Sequence, residues 1–278
     1  MALIFACMKI LFPFCSAFII FIMACTNSTQ QSNTPPTPGE AAPAIIDYTL
    51  VNAHPHDTSF FTEGLEFNGD RLLESSGGQK EETPHPSAFG VLDLKTGQVS
   101  KKAELDNATF FGEGITVFNG KIYQLTWRNQ KGFIYDATSY KKIKEFNFQG
   151  DGWGLTHDST HLIMSDGSSN LKFLDPETFK VASIVSVVDN NGPVSNINEL
   201  EFIDGHIYAN VWQSDHIIKI DPISGKVVGR INLDSLVREI KNKAPDADVL
   251  NGIAYNPATK SIFVTGKLWP LIYEIRLN

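Results

Sequence analysis

Glu63-Gly64-Leu65-Glu66-Phe67 is the stretch on which the reading of this chain turns, because its pattern returns four more times. The returns are Glu113-Gly114-Ile115-Thr116-Val117, Trp153-Gly154-Leu155-Thr156-His157, Asn198-Glu199-Leu200-Glu201-Phe202 and Asn251-Gly252-Ile253-Ala254-Tyr255. The steps between copies are 50, 40, 45 and 53 residues. Spacings of roughly 40–50 residues belong to propeller blades or to helical solenoids. The residues after each copy separate the two: they form short alternating apolar runs broken by turn residues, which is a strand period. The expectation is an all-β chain folded as a five-bladed β-propeller.

Working outward, each copy is followed by a Gly, Asp or Asn turn and a second apolar run, such as Lys121-Ile122-Tyr123 or His206-Ile207-Tyr208. A third run ends in an acidic residue in four repeats, at Asp93, Asp136, Asp175 and Asp221. Pro and Gly after two of these acids fit tight turns leading to a fourth, outer strand. The fifth repeat stops after its third strand, at Asn278, while an unassigned alternating segment, 44–52, precedes the first repeat. The expected closure is this amino-terminal strand completing the last blade, which removes two exposed sheet edges. Residues 234–248 break the pattern and read as a short helical excursion between blades four and five.

Residues 45–278 thus form the propeller domain, and the segment before them reads differently. Residues 10–24 are apolar or small apart from Pro13, and Lys9 supplies a positive charge before them. This run is short for a membrane span, which needs about 20 residues, and suits the apolar part of a signal peptide. Ile22-Met23-Ala24-Cys25 resembles a bacterial lipobox, so residues 1–25 are expected to be a lipoprotein signal peptide with Cys25 lipidated. Residues 26–44, rich in Thr, Ser, Asn, Gln and Pro, read as a flexible tether. The expected location is the bacterial cell envelope, exported and held by lipid at the periplasm or outer membrane. Cys7, Cys15 and Cys25 all lie in this leader, leaving no disulfide framework for the propeller. A net charge of −8 and the lack of any Lys/Arg-rich run argue against nucleic acid as a partner.

Propeller inner strands surround a channel, so equivalent positions form a ring. The first position gives Glu63, Glu113, Trp153, Asn198 and Asn251. The second is Gly in four copies, which fits close approach of backbones near the axis. Two carboxylates, two amides and an indole thus share one end of the channel. Buried carboxylates are expensive unless paired or used; the structural alternative is that the five groups hold one another and keep the blades in register. The four tryptophans, Trp127, Trp153, Trp212 and Trp269, fall on inner strands or strand ends of four different blades. Beside the carboxylates they suggest an aromatic-lined pocket with a few polar groups.

The residues that carry these features run in order through every blade. They include Phe60-Phe61-Thr62-Glu63-Gly64-Leu65, Phe111-Gly112-Glu113-Gly114-Ile115-Thr116, Gln124-Leu125-Thr126-Trp127, Gly152-Trp153-Gly154-Leu155-Thr156, Asn198-Glu199-Leu200-Glu201, Asn210-Val211-Trp212, Leu250-Asn251-Gly252-Ile253 and Gly266-Lys267-Leu268-Trp269-Pro270. Over residues 60–270 the chain resembles the glutamine cyclotransferases of the plant and bacterial type. The resemblance implies cyclisation of an amino-terminal glutamine to pyroglutamate with loss of ammonia. It implies Glu113 as proton shuttle and Lys267 as the group that orients substrate or stabilises the oxyanion. Phe61, Glu63, Trp127, Trp153, Asn198, Trp212, Asn251 and Trp269 are the implied substrate-binding residues. The implied partners are peptides or proteins with amino-terminal glutamine, acted on by a monomer without metal or cofactor.

The chain departs from the family pattern at position 63, where Gln is more often expected and Glu stands. Two carboxyls in neighbouring blades would repel when both ionised, so one is expected to titrate high. Residues 77–88 also look unlike the usual first-blade connection. Two other readings stay open: a lactonase-like metal hydrolase with Glu63, Glu113, Asn198 and Asn251 on Ca²⁺, and a non-catalytic binding propeller. His54-Pro55-His56 reads as solvated, and Asp189-Asn190-Asn191-Gly192 as a turn.

Overall fold

The five recurrences become the inner strands of five antiparallel sheets. A computed structural model describes residues 41–80 and 85–278; the expected signal segment, Cys25 and most of the tether lie outside the described residues. Blade one is Thr62–Asn68, Arg71–Ser76, Ala88–Leu92 and Val99–Glu104, ordered from channel to rim. Blade two is Gly112–Phe118, Lys121–Thr126, Lys131–Asp136 and Lys142–Asn147. Blade three, with the shortest inner strand, is Leu155–His157, Leu162–Met164, Asn170–Leu174 and Val181–Ser186. Blade four is Ile197–Ile203, His206–Val211, His216–Ile220 and Val227–Asn232. Blade five is Leu250–Asn256, Ser261–Gly266 and Leu271–Leu277, completed at the rim by Tyr48–Pro55. Each inner strand packs against the next, and the fifth against the first, which closes the ring.

The amino-terminal strand does complete the last blade, antiparallel to Leu271–Leu277. The segment begins elsewhere, however. Ala44–Ile45 first pairs in parallel with Gly229 and Arg230 at the rim of blade four. One segment therefore ties the fourth blade to the fifth. The excursion after blade four is the helix Asp234–Lys243, whose Leu236, Val237 and Ile240 are buried. Asp189 to Gly192 turns between two short paired strands, as expected.

The acidic residues at the ends of the third strands have a structural task. The Oδ1 atoms of Asp93, Asp136, Asp175 and Asp221 each accept two backbone N–H groups of the next turn. Such a side chain organises the turn locally, which is why the position recurs.

The glycines of the repeat let neighbouring inner strands touch. A Cβ on Gly154 would lie 2.0 Å from the carbonyl oxygen of Asn198, and one on Gly114 2.5 Å from Leu155 N. Blade four carries Glu199 at this position instead. Its buried side chain crosses to both neighbours of the closure: Oε1 accepts Leu65 N at 3.2 Å and Oε2 accepts Ile253 N at 2.8 Å.

The structure corrects two expectations. Trp269, expected in a pocket wall, is wholly buried in the core formed by blades four and five and the helix. Its Nε1–H is satisfied by the Asp248 carbonyl at 2.9 Å. A Cβ on Gly266 would stand 2.3 Å from this indole, so the missing side chain there makes room for it to fold inward. His56, expected in solvent, is buried between blades one and five.

Candidate active site

Glu63, Glu113, Asn198 and Asn251 all sit where the pairing of the inner strand with its neighbour slips: between Thr62 and Gly64, Gly112 and Ile115, Ile197 and Leu200, and Leu250 and Ile253. Such bulges re-aim side chains and loosen pairing locally. In blade three, Trp153 stands just before the inner strand begins. The repeat therefore builds the same interruption at one end of the channel in four of the five blades.

Side chains from second strands fix these interruptions. Ser75 Oγ donates to the Glu113 carbonyl at 2.5 Å and accepts Gln124 Nε2 at 3.0 Å. Ser165 Oγ donates to the Asn198 carbonyl at 2.7 Å and accepts Gly154 N at 2.8 Å. Asn210 Oδ1 accepts Gly252 N at 2.8 Å. Trp153 O accepts Gly114 N at 2.8 Å, linking blade three to blade two. Gln124 and Asn210 lie in segments that carry the resemblance, but the sequence assigns no holding role to them or to Ser75 and Ser165, because small hydroxyls and amides in strands carry no distinctive pattern.

At the centre, Lys267 Nζ lies 2.7 Å from Glu63 Oε1. Asn251 Nδ2 donates to the Thr62 carbonyl at 2.9 Å and to Glu63 Oε2 at 3.3 Å. Glu113 hydrogen-bonds Glu63 through its side chain. All three ionisable groups are buried, Glu63 to 2% exposure, Glu113 to 5% and Lys267 to 7%. Burial, then the charge of Glu63, pushes the Glu113 carboxyl well above the usual carboxylate range. Burial raises Glu63 as well, opposed by the neighbouring ammonium. Burial works against the Lys267 ammonium, but Glu63 and Glu113 outweigh it and hold the group above its ordinary value. The arrangement reads as a neutral Glu113 donating to an ionised Glu63 that is paired with Lys267. Two carboxyls and one ammonium thus form one interacting set of titrating groups.

Aromatic rings wall this centre. Lys267 Nζ stands 4.7 Å from the Phe61 ring centroid. Phe61 meets Phe111 edge-on at 6.3 Å, and Phe111 meets Trp127 at 5.8 Å. Trp153 and Trp212 pack edge to face at 6.1 Å. Trp212 is 39% exposed, which places it at the mouth. Phe111 belongs to the wall although the sequence assigns it no role; its only signal there is its place two residues before Glu113.

Three buried polar atoms at this ring have no partner within the protein: Trp153 Nε1, Asn198 Oδ1 and Asn251 Oδ1. One is a donor and two are acceptors. Buried polar groups are normally satisfied, so the set is complementary to a polar ligand that offers both a carbonyl and N–H groups. Of the residues expected at the site, Phe61, Glu63, Glu113, Asn251 and Lys267 make the central contacts, Trp127 joins them through Phe111, and Trp269 stands apart in the core.

Fold and site together define a propeller enzyme with a buried carboxyl pair, a paired ammonium and an aromatic wall. The chain belongs to the glutamine cyclotransferase family, whose profile matches residues 17–277. It is 41% identical over 237 residues to the glutaminyl-peptide cyclotransferase of Arabidopsis thaliana, covering 84% of this chain and 72% of that one. The crystal structure of Myxococcus xanthus glutaminyl cyclase superposes with a TM-score of 0.76 at 34% identity, over 85% of this chain and 98% of that one.

Proposed function

We propose that this chain is a glutaminyl-peptide cyclotransferase working by a Glu113 proton shuttle. The observation that carries the reading is the buried contact of Glu113 with Glu63 beside Lys267, set among orphan donors and acceptors. In the reaction, the α-amine of an amino-terminal glutamine attacks its own γ-carbonyl carbon. A C–N bond forms, closing a five-membered lactam, and the C–NH₂ bond breaks to release ammonia. One proton must leave the attacking nitrogen and one must reach the departing nitrogen. Glu113, held neutral by burial and by Glu63, gives its proton to the leaving amide nitrogen and recovers one from the former amine. It ends the cycle as it began.

Lys267 Nζ and Trp153 Nε1–H are the donors available to the developing oxyanion. Asn198 Oδ1 and Asn251 Oδ1 are acceptors for substrate N–H groups. Both reacting groups belong to one residue, so holding a near-attack conformer supplies much of the acceleration. Phe61, Phe111, Trp127, Trp153 and Trp212 keep out water, which would otherwise compete as nucleophile. A Ca²⁺ site at Glu63 is disfavoured because the Lys267 ammonium already occupies that carboxylate. One chain supplies all these groups, which supports action as a monomer.

The test is ammonia release from a glutaminyl dipeptide by the parent and by Glu113→Gln. Activity in the parent and a fall of about 10²–10⁴-fold in the variant is the expected result. A folded parent that releases nothing, from short or long glutaminyl peptides, rejects the reading in favour of a metal hydrolase or a binder. Residues 1–25 further belong to the proposal as a bacterial lipoprotein leader, with Cys25 as the anchored residue. Labelled palmitate entering the parent but not Cys25→Ser supports envelope anchoring; equal labelling rejects it.

A further inference from the structure

The turn that carries Lys267 is held from behind by a second ionisable pair. Its members lie outside the substrate pocket, and the cyclotransferase chemistry leaves them unused. His56 comes directly after the closing strand Tyr48–Pro55. Its Nδ1 meets the Trp269 carbonyl at 2.6 Å, and its backbone N–H donates to the Pro270 carbonyl at 3.0 Å. Its Nε2 meets Glu74 Oε1 at 2.9 Å, on the second strand of blade one. Thr62 Oγ1 donates to the same Glu74 oxygen at 2.8 Å. The side chains of His56 and Glu74 are both fully buried.

Donors and acceptors place one hydrogen directly: a carbonyl only accepts, so His56 Nδ1 carries it. Glu74 Oε1 accepts from Thr62 and faces His56 Nε2, so a proton lies between the imidazole and the carboxyl and binds the two as one unit. Burial acts to lower His56, and the Glu74 charge and hydrogen bond overcome it, so the group is raised on balance.

The pair joins the last blade to the first at the place where the ring closes. On one side it fixes Trp269 and Pro270, at the end of the turn that presents Lys267. On the other it fixes Thr62, the neighbour of Glu63, and the Thr62 carbonyl also receives Asn251 Nδ2. The turn needs such a hold, because Leu268 lies at φ +61°, a region that bulky residues adopt only when their surroundings enforce it. We propose that His56 and Glu74 form a positioning dyad that sets the Lys267 turn against the inner strand of blade one, so that Lys267 Nζ stays on Glu63.

The inference rests on the cyclotransferase reading, and its test separates the two. His56→Gln is compared with the parent on a glutaminyl dipeptide, with ¹⁵N-lysine NMR following the Lys267 ammonium. The expected result is a fall in kcat of about 10- to 100-fold from a small misplacement, with KM within about threefold and the Lys267 signal displaced. On a Lys267→Met background the same substitution is expected to change kcat by less than about threefold, since its route of action is gone. Glu74→Gln, which keeps shape and the Thr62 contact, covers the case in which His56→Gln does not fold. It is expected to retain a native melting transition with an intermediate loss of kcat. Full kcat with an unmoved Lys267 signal in a folded variant overturns the dyad, as does an undiminished effect on the Lys267→Met background. A parent inactive on glutaminyl peptides rejects the cyclotransferase reading instead, and the Lys267 signal alone then decides the positioning claim.

Discussion

The channel of this propeller holds glutamates at two levels, and they do different things. Glu63 and Glu113, at the interruptions of the inner strands, find their partners in each other and in Lys267. Glu66 on the inner strand of blade one, and Glu199 and Glu201 on that of blade four, bond instead to neighbouring blades. Glu199 accepts two backbone N–H groups, Glu201 accepts Tyr255 N at 2.7 Å, and Glu66 accepts Thr116 Oγ1 at 2.9 Å. Burial raises all five carboxyls. Low dielectric is therefore common to both levels and does not by itself make a catalytic acid. Partners make the difference: a carboxyl bonded to fixed backbone ties blades together, while one bonded to another titratable side chain can pass its proton on.

The sharpest way to break the comparison is to take the ammonium from the first level. Lys267→Met leaves Glu63 without its cation and removes the donor proposed for the oxyanion. A loss of about 10²–10³-fold in kcat is expected, measured by ammonia release. A loss under tenfold would mean that the active level, like the other, needs only its carboxyls. Glu63→Gln tests the carboxyl pair more gently. It removes the charge that holds Glu113 high and frees Lys267 to attract the Glu113 carboxylate; both effects lower Glu113. The alkaline limb of kcat/KM, where Glu113 loses its proton, should move to lower pH. The acid limb, set by a substrate amine near about 8, should stay in place. Superposed profiles for variant and parent would remove Glu63 from the shuttle.

Much of this was legible in the sequence. The spacing of the recurrences marked every blade, and their first positions named four of the polar residues that converge at the site. The strand bulges were not legible. An alternating pattern sends successive side chains to opposite faces, and nothing in Glu63-Gly64-Leu65 announces a slip at residue 63. Trp269 misled because it comes soon after Lys267 and resembles the other three tryptophans in placement. Its burial depends on Gly266 leaving room beneath it, a packing relation between residues that no period reveals. His56 misled because a histidine beside a proline at a strand end is ordinarily solvated. Its partners, Glu74 and Trp269, lie 18 and 213 residues away.

The second level is tested by stability rather than rate. In Glu199→Gln one oxygen becomes an NH₂ group, which must face either Leu65 N or Ile253 N as a second donor. Leaving one buried N–H unsatisfied costs about 1–3 kcal/mol, read as a lower midpoint in urea with kcat within about twofold of the parent. A large loss of kcat at unchanged stability would move Glu199 into the active level.

The smallest effect separates the levels by pH. Burial lifts Glu66 to about 8, opposed by the Thr116 hydroxyl and the Val117 N–H. Its folded value lies above its unfolded one, so the folded state keeps a proton that the unfolded chain has lost. The stabilisation from this group is complete below the unfolded value of about 4.3 and is lost as pH rises toward 8. Because a single proton is involved, the slope from this group cannot exceed about 1.4 kcal/mol per pH unit. Glu66→Gln stands in for the protonated form at every pH. Its melting temperature should fall less steeply than the parent's between pH 5 and about 8, and it should be the more stable protein at the alkaline end. Its rate at neutral pH should be unchanged, because the proton it removes belongs to the framework. Parallel melting curves across that range would mean that Glu66 is ionised in the folded protein, with channel water rather than a proton satisfying it.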